Sequence, residues 1–315
     1  MPDQACAAGL NRRQALRLGA MASATGLVAA GSLLSETGTA VAAPAAPTAA
    51  WHGVVAEIER IIRVKGMVSN GVLGLEVDRD DIPHVHKEGV PVKPAFEING
   101  NLYFQSMGGD QVMMNGDLCF KPEELNPAID QMVKHGMTWQ AMHQHLWGLH
   151  PMVWFMHMRM RGSARTVARA CHAVISVTST PLPQAPPKHP TTPLDAKRLG
   201  EVIGQTPTVG ASGVVTIDVP RRNRITLGGV RISPFLNITT PVAFQPLGRA
   251  RAVVVPDFGM TAQEVMPCLI IWSQAEHAVR HHALDPDDAL DLGHHAVPGG
   301  RGRRGRGQRR SRLRP

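Results

Sequence analysis

Four histidines fall close together, at His143, His145, His150 and His157. Neutral imidazole is both a metal ligand and a proton carrier, so such a cluster suits metal binding or acid–base work. In an extended strand, residues two apart share a face, which sets His143 beside His145. The segment Met152–Met160 can return as an antiparallel neighbour and bring His157 back to the pair. Three imidazoles on one sheet face suit a divalent transition metal, zinc or iron first, nickel or copper next. Glu124 is the expected carboxylate, as fourth ligand or general base, and Asp117 the expected outer partner of the site or a ligand itself. Two other readings stay open. The histidines can act on a ligand without a metal, or serve as ordinary surface and core groups in a chain with 15 of them.

The elements that position these residues follow from hydrophobic spacing. Val54–Val64 repeats at helical intervals, and Val72–Val77 alternates as a strand. Strands are expected at Val90–Lys93, Ala95–Phe104 and Val112–Phe120, the last interrupted at Gly116-Asp117 by a turn or bulge. Pro122 opens a helix with Glu123 and Glu124 in its first turn, and His135-Gly136 closes it. Strands Thr138–Leu146 and Met152–Met160 and a helix over Ala164–Val174 follow. The methionines at 113, 114, 132, 142, 152, 156, 158 and 160 are expected in the core. Trp139, Trp147 and Trp154 line either a pocket or that core.

The unit then recurs. Gly71–Arg79 parallels Gly213–Arg221, Gly89–Pro94 parallels Gly229–Pro234, and Phe104-Gln105 parallels Phe244-Gln245. Asp117 falls on Asp257, Glu124 on Glu264 and Pro127 on Pro267, whereas Ala283 stands near the place of His145. The fold class is therefore α+β: two tandem repeats of a largely antiparallel sheet covered by helices, the second truncated after Leu284. Paired units of this kind commonly pack about a pseudo-twofold axis with a cleft between them.

Expected boundaries are a signal peptide at 1–42, a first repeat at 52–178, a proline-rich linker at 179–193, a second, incomplete repeat at 194–284 and a Gly/Arg-rich tail at 285–315. The N-terminus pairs Arg12-Arg13 with a mild apolar stretch and an Ala40-Val41-Ala42 cleavage site. That pattern reads as twin-arginine export to the periplasm or outside the cell, with the export machinery as a partner. Net charge is +8, yet Arg301–Pro315 alone carries eight arginines and the remainder has 25 basic and 25 acidic residues. The body therefore gives no sign of a specific nucleic-acid partner. The tail is either a basic extension or out-of-frame coding, and the abrupt loss of the repeat favours the second. The body has no 18-residue apolar run of the kind that spans a membrane. Of Cys6, Cys119, Cys171 and Cys268, three outlast the signal and are expected as small buried hydrophobes. The chain lacks a phosphate loop, a Gly-x-Ser-x-Gly elbow and a Cys-x-x-Cys pair.

Several of these segments resemble one known bacterial family. Gly116-Asp117-Leu118, Glu124-Leu125-Asn126-Pro127, His143-Gln144-His145-Leu146 and Met156-His157 follow the pattern of the LppY/LpqO-like exported proteins, which are catalogued as the domain of unknown function DUF1259. The likeness spans roughly 52–284, with Gln144 where the family usually has Asn. It implies an exported protein built of two copies of the unit, and it points to the His/Glu cluster without supplying a reaction. The expected function is an exported metal-binding enzyme using that cluster. The alternative is a periplasmic or extracellular protein that binds a small molecule without turnover.

Overall fold

The computed structural model describes residues 49–279, apart from 147, 224, 228, 229, 249 and 250, together with 291–294. The expected signal segment, most of the arginine-rich tail, Trp147 and His281–Ala283 lie outside the described residues. No described helix is long and apolar enough to cross a membrane.

The first unit is a six-stranded sheet with helices on one face. Its strands are β1 (Met67–Ser69), β2 (Val72–Asp78), β5 (Asn99–Gly108), β6 (Gln111–Phe120), β7 (Thr138–His143) and β8 (Trp154–Ser163). They lie side by side in the order β1-β2-β5-β6-β8-β7, every pair antiparallel. Helix α1 (Ala49–Ile62) buries Trp51, Val55, Ile58 and Ile62, spaced so that all four point to one side. These meet the even-numbered face of β6, Val112, Met114, Leu118 and Phe120, together with Met156 and Met158 of β8. Helices α3 (Leu125–Lys134) and α4 (Ala164–Ile175) close the same core through Met132, Val167 and Cys171. The Ser163 side chain caps α4 by accepting from Thr166 N.

Alternation gives the opposite sheet face to the second unit. Val72 and Met113 pack on Ile232 and Leu236, while Cys119 and Phe155 share a cluster with Val214 and Val253. The second unit consists of helix α5 (Ala196–Ile203) and a sheet in the order β15-β14-β13-β10-β9. The ranges are β9 (Pro207–Val209), β10 (Val215–Val219), β13 (Thr240–Gly248), β14 (Arg251–Pro256) and β15 (Asp291–His294). Short ribbons, β3 (His86–Lys87) with β4 (Val90–Pro91) and β11 (Ile225–Leu227) with β12 (Val230–Ile232), occupy matching places in the two units. The second unit is the smaller. β15 borders β14 where β8 borders β6, but it runs parallel, and no counterpart of β7 or α4 exists among the described residues. Helix α6 (Ala262–Val279) consequently leaves Met266, Leu269, Ile270 and Ile271 exposed.

The two units hold each other through the same contact made twice. Gln105 Nε2 donates to Arg231 O at 3.3 Å and its Oε1 accepts from Ser233 N at 2.7 Å. Gln245 Nε2 donates to Pro91 O at 2.7 Å and its Oε1 accepts from Lys93 N at 2.8 Å. Donors and acceptors occupy corresponding positions of the repeat, so the pair of contacts has pseudo-twofold symmetry.

Several expected elements change on folding. The strand expected over Ala95–Phe104 starts instead as a one-turn helix, α2 (Pro94–Glu97), before β5 begins. Pro94 sets the helical φ, and Phe96 N and Glu97 N both bond to Lys93 O. Val90–Lys93 keeps only the two residues of β4, and the strand expected to reach Leu146 ends at His143. Gly116 makes no turn: β6 runs through it unbroken. Its glycine serves close approach, because a Cβ there would stand 2.1 Å from Asn101 O of β5. Met142 and Met152 are exposed, as is Trp139, while the other core methionines are buried or partly so. Cys119 and Cys171 are buried free thiols, but Cys268 is partly exposed on α6.

Candidate metal centre

Three adjacent strands present the site. Asp117 of β6 stands opposite His157 of β8, and His157 in turn opposite Ala141 of β7. A register shift between Trp139 and Ala141 precedes His143, the last residue of β7. The chain then leaves the sheet. Leu146 and Leu149, both buried in the cluster between the units, anchor the loop and fold His145 back over Phe155. Those two rings stack with centroids 3.5 Å apart and planes 7° from parallel.

One ring nitrogen each from His143, His145 and His157 lies within 4.8 Å of the others. His143 Nε2 and His157 Nε2 are 2.7 Å apart, and the His143 ring stacks on both neighbours. Two nitrogens on one tetrahedral ion, each about 2.0–2.1 Å from it, stand roughly 3.3 Å apart. A small opening of this pair therefore admits a metal. The donor set fits as well. Burial and the neighbouring imidazoles push His157 down to about 4 and hold His143 below its ordinary value, so both are neutral ligands at pH 7.

His145 behaves differently. Burial works against its charge, but the Glu97 carboxylate, then Asp117 and Asp257, outweigh burial and raise its pKa. Its Nδ1 lies 3.0 Å from Glu97 Oε2, and its Nε2 lies 3.8 Å from Asp117 Oδ2. Asp117 is itself pushed up to about 6, chiefly by burial. Its Oδ1 accepts from Asn237 Nδ2 of the second unit at 3.4 Å. Asp257, just after β14, acts electrostatically on all three histidines and on Asp117, so both units contribute to the site.

The structure brings His143, His145, His157 and Asp117 together, but it takes Glu124 elsewhere. Both Glu124 oxygens engage the buried Arg79, Oε2 with Nη1 and Oε1 with Nη2, each at 2.9 Å. Oε2 also accepts from Lys121 N at 2.8 Å, and Asp81 holds Arg79 from its other side at 2.8 Å. Glu124 thus ties the entrance of α3 to the end of β2. The arrangement recurs in the second unit, where Arg221 Nη2 meets Glu264 Oε1 at 2.9 Å and Thr261 N meets Oε2 at 2.6 Å. Glu124, the carboxylate expected to act at the cluster, is in this structure held by a cation fork. Trp154 is half-buried at the start of β8, the strand that carries His157, and His150 pairs backbone groups with His86.

The carboxylate beside the histidines, Glu97, was not foreseen, nor was Asn237. A signal was present. The apolar segments after Pro94 and Pro234, Ala95-Phe96-Glu97-Ile98 and Phe235-Leu236-Asn237-Ile238, each hold one polar residue, at the same repeat position. A polar group set in such a run must find a buried partner.

No curated protein and no solved structure gave a significant match to the chain. The sequence profile of one family, described as a Domain of Unknown Function (DUF1259), matches twice, over residues 56–177 and 197–284. Those two matches cover more than half of the chain and fall one on each sheet-and-helix unit, so the protein belongs to the DUF1259 family and carries its domain in duplicate.

Proposed function

We propose that this protein is an exported, LppY/LpqO-like metalloprotein whose His143, His145 and His157 bind one divalent transition metal, zinc or iron, for a reaction on a small polar molecule. The observation that carries this reading is the convergence of three ring nitrogens, two of them on neutral imidazoles, in a half-buried position. Such an ion, when bound, supplies Lewis-acid polarisation and an acidified water. The chain's own residues do the rest. Glu97 orients His145, Phe155 supports its ring, and Asp117 and Asp257 bias the site toward cations. The export reading rests on the Arg12-Arg13 signal pattern and the Ala40-Val41-Ala42 site, with the twin-arginine machinery as partner and the signal ending at residue 42.

Elemental analysis of natively purified protein, without an affinity histidine tag, tests the reading. About one zinc or iron per chain is expected. A folded His143→Ala/His145→Ala double variant should then lose it. Absence of metal from the unmutated protein, even after incubation with zinc, iron and copper, overturns the metal reading. A small organic molecule retained through purification would in that case support the binding-protein alternative.

A further inference from the structure

His145 Nε2 and Asp117 Oδ2 face each other at 3.8 Å. A carboxylate oxygen can only accept, so the bond from His145 Nδ1 to Glu97 Oε2 places the ring hydrogen on Nδ1. The neutral ring then offers its lone pair at Nε2. That atom is buried and has no hydrogen-bond partner among the described residues, and the same holds for Asp117 Oδ2. The Asp117 side chain is only 6% exposed. Two buried acceptors 3.8 Å apart are unfavourable unless something positive lies between them. A separation of 3.8 Å also falls within reach of two donors on one ion about 2.0–2.2 Å from each. Asp117 further stands directly opposite His157 on the neighbouring strand, on the face that carries the imidazoles.

We propose that Asp117 Oδ2 is the fourth protein ligand of the metal centre, and that Asn237 of the second unit presents it by holding Oδ1. The inference rests on the three-histidine reading and deepens it in two ways. A hard oxygen donor among three imidazoles widens the choice of metal from zinc toward iron and manganese, which take five or six ligands and so keep positions for a small ligand. It also makes the second unit, which lacks the His145 equivalent, a working part of the first unit's site.

The test is titration of the full chain with cobalt(II), read by its visible absorption, for the unmutated protein and for Asp117→Asn, Asn237→Ala and His143→Ala. Asp117→Asn should weaken cobalt binding at least ~10-fold and shift the absorption bands, since a ligand is lost. Asn237→Ala should weaken binding by about 3- to 10-fold with the bands in place, since the ligands stay the same. Loss of binding in His143→Ala with affinity and bands unchanged in Asp117→Asn overturns the fourth ligand and leaves the three-histidine site standing. No uptake by the unmutated protein overturns both. A cobalt-soaked crystal of the unmutated protein answers without any variant. An anomalous peak within about 2.3 Å of Asp117 Oδ2 supports the proposal, and a peak on the imidazoles more than about 3.5 Å from that oxygen overturns it.

Discussion

Glu97 selects which nitrogen of His145 faces the site. By accepting from Nδ1 it turns Nε2 toward Asp117, and its charge raises the ring's affinity for protons. As pH falls, His145 is therefore the first of the three imidazoles to take up a proton, ahead of His143 and His157, whose pKa values are lowered. Metal affinity should fall as the medium is acidified through the His145 transition, because ligand and proton compete for one lone pair. Glu97→Gln removes the largest influence that raises this pKa, so the midpoint should move to lower pH. Affinity at pH 8 should weaken about 10- to 100-fold through loss of the oriented, more basic ring. Chelator competition at pH 5 to 8 checks both effects. A midpoint that stays in place would remove Glu97 from the site.

At the level of elements, the Arg79–Glu124 clamp is an architectural device. Arg79 is 1% exposed and sits between Asp81, Glu124 and the Cys119 carbonyl. Glu124→Ala leaves half of its fork unpaired in the interior and should cost about 3 kcal/mol in urea unfolding. The folded fraction should keep its metal. A variant of ordinary stability that loses metal would contradict the structural role. The clamp also explains what was legible in the sequence. Most strands and helices and the meeting of His143 with His157 followed from alternation and spacing, which report burial directly, and the duplication followed from identities recurring at a nearly constant offset. Glu124 was misplaced because nearness in the chain says nothing about a partner 45 residues earlier, and Arg79 carried no local mark of being buried. Glu97 was missed because Pro94 converts the start of an expected strand into a helical turn, which re-aims that side chain. Gly116 read as a turn because a glycine kept free for a neighbouring backbone and one kept for a bend look alike in a sequence.

Across the whole molecule, stability and site integrity are linked through the reciprocal glutamine contacts. Gln245 is 1% exposed, and its amide satisfies Pro91 O and Lys93 N. Gln245→Ala strands both groups and should cost about 2 kcal/mol, read as a lowered urea midpoint. Because Lys93 is the N-cap of the turn that carries Glu97, metal affinity should drop with it. A variant that is less stable but binds metal normally would show that the two units support each other without shaping the site.

A contact made twice by equivalent residues is the signature of an isologous interface, the kind formed by two identical subunits about a true dyad. Here both partners lie on one chain. The two repeats thus meet as the halves of a homodimer do, without being held to identity. One half carries His143, His145 and His157, and the second keeps His281 near the place of His143. That second half also carries Asn237 where its twin has Glu97 and Ala283 near the place of His145. A true homodimer would repeat every site residue, whereas here Asn237 takes the place of Glu97 and bonds to Asp117 of the other half.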